Sequence, residues 1–191
     1  MLFSPLHLDT NRLHIRPLVI DDLETVAAIN DAGFGEHPLE YHREWLQWSI
    51  ANYTALGRMY QPPYGERAIT LKATDEMVGL VGIVPSLAPY EKIPSLRHRL
   101  NTPNALFTPA IGLFWATHPD HRSQGYASEA AQRIVQFLFD DLNLAYVVAQ
   151  TDDDNTASIA VMRRIGMSIE HNPDPEPEWL QVVGIRFNPS L

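Results

Sequence analysis

Seven consecutive residues, Arg122-Ser123-Gln124-Gly125-Tyr126-Ala127-Ser128, have the types and spacing that suit an anion. A strand from Ala110 to His118, mostly a bulky apolar run, precedes them, and Pro119-Asp120 stops it, so the stretch is a turn that leaves a buried strand. Apolar residues then recur at Ala127, Ala130, Ala131, Ile134, Val135 and Leu138, the spacing of an amphipathic helix. A turn from strand into helix presents backbone N–H groups that have no intrahelical partner, at the helix end that carries partial positive charge. A phosphate or pyrophosphate fits there. Gly125 lets the backbone come close, Ala127 keeps the first helical turn thin, and Arg122 adds a full charge on a forked set of donors. No Lys-Ser/Thr pair closes the turn, which excludes the phosphate loop of nucleotide hydrolases, and the three glycines of a dinucleotide fingerprint are absent. His118 and His121 stand just before the turn. Two histidines without a carboxylate ligand pattern make a poor metal set, and no metal is expected.

The elements that must position this turn lie on both sides of it. Leu13 to Leu18 forms a first strand. Asp21 is placed to cap a helix, with Glu24 three residues on in a capping-box pattern and Leu23, Val26 and Ala27 as the inner face. Tyr41 to Arg58 is a second helix, whose Tyr41, Trp45, Leu46, Trp48, Ile50 and Tyr53 occupy more than one face. Ala68–Ala73 and Met77–Val84 pair as a hairpin across Thr74-Asp75-Glu76. Pro85 to Pro109 is long and punctuated by proline, and reads as a loop inserted before the central strand, a rim for a binding site or an oligomer contact. After the central strand and helix come a strand at Ala145–Thr151 and a helix from Asn155, its natural N-cap, to the stop at Gly166. Two final strands follow, Met167 to Glu170 and Trp179 to Phe187.

Composition bounds the function. The 191 residues suit one domain with a substantial core. There is no cysteine, which removes disulfides, a thiol nucleophile and thiolate metal sites, and fits a reducing, cytoplasmic setting. The formal net charge of −9 argues against a general nucleic-acid binder and is compatible with a cationic substrate. Met1-Leu2-Phe3-Ser4-Pro5 lacks the basic and apolar blocks of a signal peptide, and no run reaches transmembrane length, so no membrane partner is expected.

Three segments carry a family resemblance. Arg122-x-x-Gly125-x-Ala127 is similar to the Arg/Gln-x-x-Gly-x-Gly/Ala signature of the GNAT N-acetyltransferase superfamily. Asn11-Arg12-Leu13-His14-Ile15-Arg16-Pro17-Leu18, followed by Asp21-Asp22-Leu23, resembles the opening of its ribosomal-protein N-terminal acetyltransferase branch. Asn155-x-x-Ser158 with Arg164-Ile165-Gly166-Met167 resembles the family's Asn-x-x-Ser/Ala and Lys-Leu-Gly-Phe segment, with Arg for Lys and Met for Phe.

The resemblance implies an α/β GNAT fold as one domain over residues 1–191, a mixed sheet of about seven strands splayed at the central pair and flanked by about four helices. It implies acetyl-CoA as cosubstrate. Arg122, Ser123, Gln124, Gly125, Tyr126, Ala127 and Ser128 would hold the pyrophosphate, and the backbone of Trp115 and Thr117 would pair with the pantetheine arm. Asn155 would bond the pantetheine amides, cap its helix, or do both. An amine acceptor, a peptide N-terminus or a small molecule, would attack the thioester directly. The second helix would then bury two faces or line the acceptor groove with its aromatic residues. Many relatives protonate the leaving thiolate with a tyrosine in the last helix. That position is Met162 here, which leaves Ser158 as the acid, with His118 and then Glu36 as the base. The rival reading is an inactive acyl-CoA sensor of the same fold. A monomer or a homodimer fits equally.

Overall fold

The computed structural model describes residues 6–100 and 107–191. The N-terminal pentapeptide and residues 101–106 of the Pro85–Pro109 segment lie outside the described residues. Among the described residues eight strands and five α-helices follow one another along the chain. They are β1 (Leu8–Asp9), β2 (Leu13–Arg16), α1 (Leu23–Phe34), α2 (Leu39–Arg58), β3 (Gly65–Leu71), β4 (Met77–Ala88), α3 (Pro94–Leu100), β5 (Thr108–Thr117), α4 (Tyr126–Asp140), β6 (Tyr146–Thr151), α5 (Thr156–Arg164), β7 (Ser168–His171) and β8 (Val182–Phe187). The strands form one mixed sheet in the order β1-β2-β3-β4-β5-β6-β8-β7. β1 to β4 pair antiparallel, β5 meets β6 in parallel with Gly112 opposite Val148, and β6, β8 and β7 are again antiparallel. The mixed α/β class read from the sequence holds, with one more strand (β1) and one more helix (α3).

The chain divides into two compact units, Met1–Ile83 with Phe114–Phe137 and Val84–Leu113 with Leu138–Leu191. The first is built around Leu18, Leu23, Val26, Ile29, Leu46, Tyr53, Ala68, Met77 and Leu80, with Trp45, Ile50 and Phe114 packed against them. The second is built around Ala88, Tyr90, Ile93, Leu96, Val148, Leu180, Val183 and Ile185.

Three sequence readings change. Asp21 does not cap the first helix. A 3-10 turn at Ile20–Asp22 precedes α1, and Asp22, the residue before α1, makes no side-chain cap bond to that helix. Buried Asp22 accepts the Val19 N–H at 2.9 Å and takes the Arg16 guanidinium in a fork at 2.8 Å on each oxygen. The second helix buries one stripe, His42, Leu46, Ser49 and Tyr53, while Tyr41 and Trp48 are exposed. The segment after Val84 is no plain loop. β4 runs on through Pro85 to Ala88, a 3-10 turn follows at Tyr90–Lys92, and Pro94 opens α3. Tyr90, Ile93 and Leu96 are fully buried there, so this segment is core.

Candidate active site

The turn into α4 belongs wholly to the first unit. Ser123 and Gly125 both take left-handed backbone, with φ of 62° and 81°. Alternating left-handed residues turn successive N–H groups toward one side and form an anion-binding concavity. The first helical bond of α4 is Glu129 N–H to Gly125 O at 3.0 Å, so the amides of Tyr126, Ala127 and Ser128 have no earlier intrahelical acceptor. Ala127 is buried, and the Ser128 hydroxyl is buried without a hydrogen-bond partner. Arg122, Ser123 and Gln124 are exposed. The Arg122 guanidinium donates to the Ala32 carbonyl at 3.4 Å, near the negative end of α1.

Sequence reasoning missed what braces this turn. Arg12 donates to the Gln124 carbonyl at 3.2 Å from both terminal nitrogens and lies over the Tyr126 ring at 4.7 Å. Its Nε donates to Glu129 at 2.7 Å, and its backbone N–H donates to the same carboxylate at 3.0 Å. Burial works to raise the Glu129 pKa. The Thr10 hydroxyl, Arg12 side-chain and Arg12 N–H bonds outweigh it and hold the carboxyl below its ordinary value. Glu129 is thus an anion that locks Arg12 onto the turn.

Upstream, the His118 N–H donates to the Val78 carbonyl of β4 at 2.9 Å. Backbone groups alternate along a strand, so those of Trp115 and Thr117 point to the opposite edge of β5. The His118 ring accepts the Asp120 N–H at 3.3 Å, and His121 lies 3.1 Å from Glu76. Among the described residues no three metal-ligating side chains cluster.

A cavity of about 190 Å³ opens in the same unit. Asn30 and Phe34 of α1, His37 of the following loop, and Tyr41, His42 and Trp45 of α2 wall it on one side. Glu66 of β3 and Phe114 of β5 close the other. The second helix does turn aromatic residues toward a cavity. Neither His118 nor exposed Glu36 lines it. Glu66 does, and the sequence reading passed over it. Burial pushes the Glu66 carboxyl above its ordinary value, against the pull of its own backbone N–H and of Arg67. The opposing wall is pinned by Asp31, whose Oδ1 accepts the His37 N–H at 3.1 Å and lies 2.8 Å from His42 Nε2.

The remaining sequence candidates lie in the second unit. Asn155 caps α5, its Oδ1 accepting the Ser158 N–H at 3.0 Å. Ser158 is half-buried. Met162 is fully buried, and a Cβ placed on Gly184 would lie 2.8 Å from its sulfur.

The model of the GNAT acetyltransferase domain matches residues 12–168. YnaD of Bacillus subtilis, an uncharacterised N-acetyltransferase, is 41% identical over 56 residues, which span 29% of this chain and 33% of that one. The match to a second Bacillus subtilis relative, YjdG, likewise spans less than half of its length, 43%. An acetyltransferase structure from Agrobacterium tumefaciens is 26% identical, with a TM-score of 0.67 over 97% of this chain and 96% of that one. A ribosomal L7/L12 α-N-protein acetyltransferase solved with coenzyme A shares the fold at 16% identity, with a TM-score of 0.62 over 95% and 98% of the two chains. The matched region begins at the arginine that braces the turn and runs beyond the helix capped by Asn155, and by that match the chain belongs to the GNAT acetyltransferase family.

Proposed function

We propose that the protein transfers the acetyl group of acetyl-CoA to a primary amine by direct attack within a ternary complex. The observation that carries this is the left-handed Ser123–Gly125 turn at the head of α4, within the family-matched region. The coenzyme A complex of the structurally similar L7/L12 acetyltransferase supports the choice of cosubstrate. In this reading the amides of Gly125 to Ser128 and the Arg122 side chain hold the pyrophosphate. The outward backbone groups of Trp115 and Thr117 pair with the pantetheine amides. The Asn155 amide nitrogen, which the helix cap does not use, bonds the same arm.

Holding the two reactants in line supplies up to ~7–11 kcal/mol in well-oriented cases. A backbone N–H of β5 is the donor for the oxyanion. The amine must be neutral to attack. Deprotonating a lysine-type amine near neutral pH costs about 4 kcal/mol, whereas a peptide α-amine costs under about 1 kcal/mol. A peptide N-terminus or a small amine of low pKa therefore needs the least help from a base. Ser158 is the proton donor to the departing thiolate.

The buried Met162 favours a second reading, an acyl-CoA sensor without turnover, because it puts a thioether where many relatives carry an acid. Calorimetric titration with acetyl-CoA and with coenzyme A, followed by thiol release against peptides and small amines, separates the two. Binding with thiol release supports transfer. Binding without release for every amine selects the sensor, and no binding removes both.

A further inference from the structure

We propose that the Glu66 carboxylate binds the ammonium of the acceptor and takes its proton, and that the cavity around it selects primary amines carried on an apolar group. The proposal deepens the acetyl-transfer reading and rests on it for the chemical step alone.

The geometry is that of an anion kept for a cationic guest. Glu66 lies across β3 and β4 from Gly82, which has no side chain to cover it. A Cβ at Gly82 would come within 3.1 Å of Glu66 Cα. Tyr53 fixes the strand from behind by donating its hydroxyl to the Glu66 carbonyl at 2.6 Å. The nearest cation in sequence, Arg67, is turned away. It donates to the carbonyls of Pro63, Tyr64, Gly65 and Glu66 at 2.9–3.3 Å and lies over the Tyr53 ring at 4.2 Å. Among the described residues no salt bridge neutralises the Glu66 carboxylate. A half-buried carboxylate without a counter-ion is costly, and an ammonium supplies one. The aromatic faces of Phe34, Tyr41, Trp45 and Phe114 add cation–π attraction and an apolar bed for the carbon next to the nitrogen. The volume of about 190 Å³ equals that of roughly six waters, enough for a side-chain-sized group.

The proton ledger closes. The bound R–NH3+ gives one proton to the Glu66 carboxylate, and the freed lone pair attacks the thioester carbon. The C–N bond forms and the C–S bond breaks. The second nitrogen proton ends on the departing thiolate, and Glu66 returns the first to solvent. The raised pKa of the carboxyl narrows its gap to an amine. The titratable groups facing the cavity with it are His37, Tyr41 and His42, with Asp31 behind His42 and with Tyr53 and Arg67 behind β3. His42 is the competitor, because its Nδ1 is buried without a partner.

The test compares wild type, Glu66→Gln, Glu66→Asp and His42→Gln. Glu66→Gln is expected to keep coenzyme A affinity, to lower kcat/KM for amines by about 10²-fold or more, and to lose the acid limb of the kcat/KM pH profile. Glu66→Asp restores part of the rate. Phenethylamine and butylamine outrun ethanolamine in wild type. An acid limb that survives in Glu66→Gln and vanishes in His42→Gln overturns the assignment, and an unchanged rate in Glu66→Gln does the same. Equal rates for ethanolamine and phenethylamine overturn the selectivity. Should wild type release no thiol with any amine, transfer fails but the cavity is still tested. Calorimetry with phenethylamine then shows binding that Glu66→Gln abolishes, and equal affinity in the two proteins sinks the proposal.

Discussion

Gly125 sits at a φ of 81°, where a side chain costs about 1–2 kcal/mol, while the nearest atom to an added Cβ is Arg12 at an ordinary 3.6 Å. Gly125→Leu is therefore expected to fold, and to lose at least tenfold in coenzyme A affinity by calorimetry as the turn opens. Glu66 gives a prediction of opposite character. Its folded pKa is raised, so between the ordinary glutamate range and that folded value the folded state holds a proton that the unfolded state has already released. Stability then declines as pH rises from the ordinary glutamate range through the folded pKa. Glu66→Gln should melt above wild type at pH 7 by about 1–3 °C, with the difference fading in acid, measured by thermal melts across pH. The turn itself was legible in the sequence because it is local. Its brace was not, since Arg12 and Glu129 lie 117 positions apart and meet only in the folded sheet. Glu66 was hidden for a related reason. Nothing in Gly-Glu-Arg-Ala-Ile tells a solvent-facing carboxylate from one enclosed by two distant helices.

At the scale of elements, periodicity found the strands and helices that bury one clean face. It failed at α3, where proline was taken for punctuation although Pro94 stands at the first helical position, where proline is well tolerated. The signal was present in the spacing of Tyr90, Ile93 and Leu96, all fully buried. Proline likewise hid the last third of β4, Pro85 to Ala88. In the second unit Met162 of α5, and Met167 in the short link that follows α5, pack against Gly184 of β8. A Cβ there would lie 2.8 Å and 2.9 Å from the two sulfurs. Gly184→Ala is expected to cost about 1–3 kcal/mol in chemical denaturation, and Met162→Ala in the same background to recover part of it. The same contact explains why no hydroxyl replaces Met162: this face of α5 is packed, and a polar group would be buried there.

Across the whole molecule, 23 acidic residues face 14 basic ones. That surplus draws cations toward the protein at low ionic strength. With acetyl-CoA saturating, kcat/KM for a cationic amine should fall as salt rises, while an amine carrying one carboxylate, a net-neutral zwitterion, should change little; stopped-flow or steady-state rates over a salt series check both. No helix among the described residues is long and apolar enough to cross a membrane. Each of the two compact units has its own buried apolar cluster. The turn, its brace and the cavity all belong to the unit that combines the N-terminal stretch with Phe114–Phe137.

The Arg12–Glu129 lock has a consequence in inheritance. Glu129 answers three donors, the Thr10 hydroxyl, the Arg12 backbone N–H and the Arg12 Nε, and replacing either residue of the pair alone strips the other of its opposite charge beside the turn. Positions 12 and 129 should therefore drift together among relatives, appearing as a charged pair or as a neutral pair, with single replacements rare and followed by a change at the other site.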